Sequence, residues 1–444
     1  MSTDHGTAAS ISSSDYEGNV IHVDPHKVAP GEIAVGVIIG RTAEFFDFFV
    51  FGIATVVVFP EVFFPFVSPM NGTLYSFMIF SLAFIARPLG SLMFRSLHDL
   101  YGRGTKLTAA LFTLGTATAG IAFLPGYDDL GKTAIGLLVA LRIIQGLAVG
   151  GSWDGLPSLL ALSAPEKHRG WYAMLPQFSA PLGFMIAAAL FAYLNMSLSH
   201  DDFIQWGWRY PFYVAFAMNV VALFARLRLV VTPEFTRLLQ TRELEPSPVG
   251  DLLRTQWRNI LLGAFAPLAS YALFHLITVF ALSWAILFTK QSVGHFLIIQ
   301  IIGAAVAMLS MLISGKVADR IGRRQTLAVA AGLIAVYSGW SAVLLSGSTT
   351  GGYIFIMLGF ALLGFSHAQS AGAINSRFPS IYRYSGAAVT SDLSWLLGAA
   401  FAPLVALELA LHLGVGYVGL YLLTGAIGTF AALRVNRSLE MRDE

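Results

Sequence analysis

The sequence predicts an all-α membrane protein of twelve transmembrane helices, arranged as two pseudosymmetric six-helix bundles. Three observations carry this expectation. Of 444 residues 56% are apolar and 12% charged, against roughly a quarter charged in a soluble domain. Twelve apolar stretches each approach the about 20 residues that cross a hydrocarbon core. A short polar turn from the first half of the chain recurs in the second.

Taken in order, residues 1–32 are polar, with Ser12, Ser13, Ser14, Asp15, Glu17 and Asp24. They lack the basic and apolar regions of a signal peptide and read as a cytoplasmic N-terminal tail. Spans follow near 33–59, 73–97, 106–124, 134–162, 171–194 and 210–231, the first bundle occupying 33–231. The longest polar connection, 232–258, carries Pro233, Pro246 and Pro248 and reads as a central cytoplasmic loop. Spans near 259–288, 294–317, 325–346, 352–374, 385–411 and 415–433 make the second bundle, 259–435, and 436–444 form a C-terminal tail.

Charge placement tests this count. When the connections are numbered alternately, 21 of the 27 basic residues fall on the side of the termini and three, Lys132, Arg209 and Lys290, on the other; Arg41, Arg87 and Arg142 lie within helices. The positive-inside rule then puts both termini in the cytoplasm. One missed span would swap every later loop and scramble the bias.

Several chemistries are excluded. There is no cysteine, hence no disulfide, thiolate nucleophile or cysteine-ligated metal. No His-Glu-x-x-His, Gly-x-Ser-x-Gly or Walker loop occurs, so no enzyme, metal or cofactor is expected. A net charge of +2 gives no footing for nucleic acid. The partner that composition itself implies is the lipid bilayer.

The recurring turn reads Arg95-Ser96-Leu97-His98-Asp99-Leu100-Tyr101-Gly102-Arg103-Gly104 and, 220 residues later by Asp99 and Asp319, Gly315-Lys316-Val317-Ala318-Asp319-Arg320-Ile321-Gly322-Arg323-Arg324. A Gly at a helix end permits close contact, the second reverses the chain, and the carboxylate and arginines can pair with neighbouring helix ends. These residues, with Arg87, are candidates for a gate that latches the two halves. Duplicated halves with a site between them near mid-membrane are a transporter plan.

The turns resemble the loop signature of the major facilitator superfamily, Gly-x-x-x-Asp-x-x-Gly-Arg-Arg/Lys. Glu44-Phe45-Phe46-Asp47-Phe48, Ala86-Arg87-Pro88-Leu89-Gly90, Leu141-Arg142-Ile143-Ile144-Gln145-Gly146 with Val149-Gly150-Gly151, Pro176-Gln177 and Arg383-Tyr384-Ser385-Gly386 are similar to segments of its metabolite:proton symporter family. The resemblance runs from about residue 33 to 435 and implies the major facilitator fold, a bacterial inner membrane, and import by proton symport in a carrier that can work as a monomer. There are departures from the pattern. Arg95 stands at a Gly position and Ser152-Trp153-Asp154 replaces Glu-Trp-Gly. Pro267, Ser270 and Tyr271 stand where helix seven often has an Arg and a Glu-Asn pair. Ser376 replaces a common Glu, and Asp392 a usual Gln.

Charges inside the membrane are costly and face a cavity or a partner. Glu44 and Asp47 share one helical face with Arg41 a turn back, and Arg142 and Gln145 form an i, i+3 pair. Arg142 is expected to pair with Asp47 or Glu44, so that protonation of the acid frees the arginine and couples proton to substrate. A permanent structural ion pair is the alternative. The substrate-binding candidates are Arg41, Gln145, Asp154, Gln177, Tyr271, His275, His367, Asn375 and Asp392. The expected function is import of a small metabolite, an organic acid because Arg41, Arg142 and the histidines offer donors to a carboxylate. A zwitterion suits the same charges, and a proton-coupled exporter or a channel are the rival readings. Residues 436–444 show no heptads, which speaks against an osmosensor.

Overall fold

The structure, a computed structural model, describes residues 30–153, 155, 157, 160, 164–230, 246–347, 349–375 and 378–435. The expectations for the two tails, for 231–245, and for Asp154, Ser376 and the Asn375 side chain lie outside the described residues. All regular structure among the described residues is helical.

Among the described residues ten helices are long and apolar enough to cross a membrane. One of them, Pro69–Ala122, runs 54 residues, too long for a single crossing, and breaks at Gly102 with φ 82° and ψ 174°. That left-handed backbone is open to Gly without strain, and it divides the helix into α2 (69–101) and α3 (103–122). Pro30–Val57 falls outside the ten because every stretch of spanning length in it contains Arg41, Glu44 and Asp47. With it as α1, the crossings number twelve.

The others are α4 (Lys132–Gly151), α5 (Arg169–Ser197) and α6 (Tyr210–Val230) in the first half. In the second, α7 starts at Val249 rather than 259 and runs in pieces, Val249–Phe265, Leu268–His275, a π-helical turn Leu276–Phe280 and Ala281–Leu287. Then come α8 (Val293–Ile321), α9 (Arg323–Gly347) and α10 (Thr349–His367, continued by Ser370–Asn375). Helix α11 comprises Ser380–Ser394, a π-helical turn Trp395–Ala400 and Ala402–His412, and α12 is Val418–Val435. The early start of α7 makes part of the expected central loop helical.

Burial sorts the helices. In the most apolar stretch of α7 89% is buried, against 33% for α6, so α7 is interior and α6 peripheral. Outward apolar side chains such as Phe112, Val221, Leu309 and Val343 are exposed and suit lipid contact. Across the two halves α2 packs on α11 and α5 on α8. Within the first half, α2 and α4 meet backbone to backbone. A Cβ on Gly90 would strike Leu147, one on Gly146 would strike Ala83, and one on Gly150 would strike Arg87. Gly146 and Gly150 are four apart, the small-residue spacing of close membrane helix pairs. Pro30, Val435 and the Gly102 and Gly322 turns all lie on one face of this even-numbered bundle, hereafter the turn face.

Candidate functional site

A cavity of about 1010 Å³, counted out to its mouth, lies between the halves. Helices α1, α2, α4 and α6 supply Arg41, Glu44, Asp47, Arg87, Arg142, Gln145 and Arg226, and α11 supplies Ala388, Asp392 and Trp395.

Its charges fall into three arrangements. The first is Glu44, which accepts from Arg226 Nη1 at 2.7 Å and from Ser152 Oγ at 2.8 Å. Arg226 is 3% exposed; the charge count above placed it in a loop, whereas it belongs to α6 and faces α1. The second is an ion pair between the halves, Arg87 Nε to Asp392 Oδ1 at 2.6 Å, with Ser91 Oγ donating to Asp392 Oδ2 at 2.9 Å. The third is Asp47, fully inside, whose Oδ1 accepts from Thr118 Oγ1 at 2.5 Å and from Asn219 Nδ2 at 3.5 Å.

Arg142 does not pair directly with Asp47 or Glu44, contrary to the expectation from sequence. Its guanidinium lies 3.8 Å from the centre of the Phe51 ring and donates to the Phe80 carbonyl at 3.3–3.4 Å and to Gln145 Oε1 at 3.1 Å. Gln145 Nε2 donates in turn to Thr118 Oγ1 at 2.8 Å. A chain Arg142–Gln145–Thr118–Asp47 therefore replaces the ion pair. The aromatic face and the carbonyl satisfy the cation where a carboxylate was expected.

Among the described residues, Arg41 shares with Arg142 the lack of a carboxylate partner, which Arg87 and Arg226 have. It borders the cavity and lies over Phe45 at 5.6 Å, and among the described residues no carboxylate comes within ion-pair distance of it. The stripe Arg41–Glu44–Asp47 is thus a shared face without internal pairing, because Glu44 turns to Arg226.

The remaining candidates sit off the cavity wall. His275 is buried behind Phe48, Phe84 and Trp395, with ring centres 5.0, 5.8 and 5.9 Å away. His367 Nδ1 is 3.4 Å from both Ser270 Oγ and Ser370 Oγ. Tyr271 stacks edge-on to Trp395 at 4.8 Å, and Gln177 is buried in a tight 3₁₀ turn within α5. These residues back the wall; Phe45, Phe48, Phe84 and Trp395 form it. Sequence reasoning missed Arg226, Asn219, Thr118, Ser91 and Ser152. Asn219 and Arg226 are seven apart, hence on one face of an apolar helix, a readable signal; Thr118, Ser91 and Ser152 are too ordinary in a membrane helix to stand out.

The two turns are unequal. Asp319 Oδ1 accepts from the backbone N–H of Gly170 at 2.7 Å and of Trp171 at 3.2 Å, at the start of α5, and so locks the halves together. Arg323 donates to the Gly372 carbonyl at 2.9 Å, and Arg324 to the Leu433 carbonyl at the end of α12 at 2.9–3.1 Å. Gly315 passes close to Met174 and Trp171, while Arg320 is exposed. In the first half Asp99 is exposed and lies 3.6 Å from Arg95, and Arg103 is half-buried. There the latch is built from Lys106 and Tyr384, which both donate to the Trp153 carbonyl, at 2.6 and 2.9 Å. On the opposite face an aromatic wall and a Ser81 Oγ bond to the Ala400 carbonyl at 3.0 Å close the cavity.

Two six-helix halves around a charged cavity, with a turn repeated from one half to the other, define a secondary transporter of the major facilitator class. Residues 33–249 match the sugar (and other) transporter family. The chain is 34% identical over 411 residues to the inner membrane metabolite transport protein YhjE of Escherichia coli (strain K12), covering 90% of this chain and 93% of that one. It is 30% identical over 410 residues to the shikimate transporter of the same organism, covering 89% and 91%. The fold matches the crystal structure of a D-xylose-proton symporter with a TM-score of 0.70 at 18% identity, covering 93% and 98%. The chain belongs to the major facilitator superfamily, among its metabolite transport proteins, and is a multi-pass membrane transporter, not an enzyme.

Proposed function

We propose that this transporter imports a small organic acid by proton symport, through alternating access, as a monomer in the inner membrane with both termini in the cytoplasm. The observation that carries this reading is the division of labour in the cavity. Two arginines are tied to carboxylates, Arg41 is left for an incoming anion, and Asp47 is held by neutral donors alone. A carboxylate on Arg41 gains charge-assisted hydrogen bonds in a site partly removed from water. The basic residues crowded on the turn face support the orientation. The names of the relatives, an inner membrane metabolite transport protein and a shikimate transporter, support the location and the class of substrate.

Proton coupling follows from hydrogen-bond polarity. With Asp47 ionised, Thr118 donates to it and accepts from Gln145, leaving Oε1 of Gln145 to Arg142. A protonated Asp47 that donates to Thr118 turns the hydroxyl's own hydrogen away; when that hydrogen goes to Gln145 Oε1, the amide turns its NH₂ toward Arg142. The arginine loses its acceptor. Protonation at Asp47 thereby reaches α4 without a direct ion pair.

The test is uptake of labelled mono-, di- and aromatic carboxylates, betaine and proline by cells expressing the protein, with and without a protonophore. Accumulation of one acid that collapses with the protonophore is expected. If no compound accumulates but preloaded cells lose one faster, the direction is export and the proposal fails.

A further inference from the structure

A second, smaller pocket lies between the central cavity and the turn face. The two share Ser91, Gly150, Trp153 and Ala388, so Trp153 is part of a thin partition. The wall also carries Arg95 and His98 from the end of α2 and Lys106 from the start of α3, and among the described residues none that lines it is acidic.

Lys106 is the informative residue. It is 7% exposed, yet its ammonium meets the Trp153 carbonyl and, at 3.4 Å, the Tyr384 hydroxyl, both neutral. Among the described residues no carboxylate pairs with it. An ammonium carries three donors, and a charge withdrawn from water without a counter-charge is costly. Arg95 donates to the Ser247 carbonyl, and its carboxylate neighbour Asp99 lies outside the pocket. Nδ1 of His98 is buried without a hydrogen-bond partner. The positive-inside rule explains basic residues on this face; it does not explain a buried lysine turned into a cavity.

We propose that this vestibule is a second anion site, where a carboxylate rests on Lys106, Arg95 and His98 as it passes between the central cavity and the turn face, with Trp153 between the two stations. The carboxylate class rests on the organic-acid reading. The site itself does not, and its test needs no transport.

The chain has no cysteine, so a single Val249→Cys in the pocket wall reports on it alone. The protein is placed in phosphatidylcholine liposomes, which offer no net lipid charge. Labelling by a sulfonate-bearing methanethiosulfonate is compared with labelling by a trimethylammonium-bearing one, each rate divided by that for a free thiol. The expected ratio favours the sulfonate at least tenfold, drops to within twofold of unity in Lys106→Gln with Arg95→Gln, and persists in Lys106→Arg. Succinate is expected to slow the sulfonate reagent in the parent and not in Lys106→Gln. A ratio near unity at Val249→Cys, an equal ratio at exposed Gln325→Cys on the same face, or no protection by succinate overturns the site. An intact ratio beside an uptake panel without a carboxylate substrate would instead overturn the organic-acid reading.

Discussion

At the scale of single residues, Asp47 and Glu44 are one turn apart yet differ in what surrounds them. Glu44 accepts from a buried arginine, Asp47 from an hydroxyl and an amide. Asp47→Asn is expected to abolish protonophore-sensitive accumulation while exchange of labelled for unlabelled substrate persists; loss of both would make Asp47 a structural residue. Thr118→Val leaves the carboxyl and cuts the chain to Arg142, so accumulation should fall at least tenfold with exchange retained. Glu44→Gln removes the Glu44 charge from beside Arg226, and breaking a buried pair from one side costs up to about 3–5 kcal/mol. A lowered melting temperature, partly recovered by Arg226→Met in the same chain, is the expected result. The charges on α1 and Arg142 were legible as polar residues in apolar stretches. Arg226 was not, because a basic residue near a helix end is counted by the positive-inside rule whether or not it turns inward. That Arg142 reaches Asp47 through Gln145 and Thr118 depends on which helices touch, which spacing alone does not contain.

At the scale of elements, the helices that carry the site are held by close backbone contact and by irregular turns. Gly146 on α4 lies against Ala83, so Gly146→Val must push α2 and α4 apart; overpacking typically costs about 1–3 kcal/mol. Gly136 on the same helix has open space around its missing Cβ. Gly136→Ala should be neutral or stabilising by about 0.5–1 kcal/mol through helix propensity. Melting temperatures of the two variants, moving in opposite directions, would check the contact. The π-helical turns at Leu276–Phe280 and Trp395–Ala400 follow His275 on α7 and include Trp395 on α11, and such turns concentrate at functional sites. Hydropathy locates spans because lipid demands apolar length. It does not register a π turn or the helical start of α7 at Val249, since neither changes the apolar content of the window.

At the scale of the whole molecule, duplication has produced halves that close by different means. Asp319 meets two backbone N–H groups at the positive end of α5, a contact that favours a carboxylate twice over. Asp99 is exposed with a neighbour at 3.6 Å, and exposed pairs contribute little. Removing the Asp319 charge should therefore loosen the turn face, whereas removing that of Asp99 should not. A charge-assisted hydrogen bond is worth about 1.5–3 kcal/mol, so Asp319→Asn should raise the open population about tenfold or more. A single Val149→Cys on the cavity wall, labelled from the turn face by a small thiol reagent, reads that population directly. Labelling should quicken about tenfold with Asp319→Asn and stay within twofold with Asp99→Asn. Equal acceleration by both would mean that the repeated turns act symmetrically, and the Lys106–Tyr384–Trp153 latch would lose its place as the counterpart of Asp319. If the asymmetry holds, the two latches differ in chemistry as well as position. The one at Asp319 rests on a fixed carboxylate, and the one at Lys106 on a cation beside the proposed anion site, where a passing carboxylate can compete with the Trp153 carbonyl and weaken the closure it must cross.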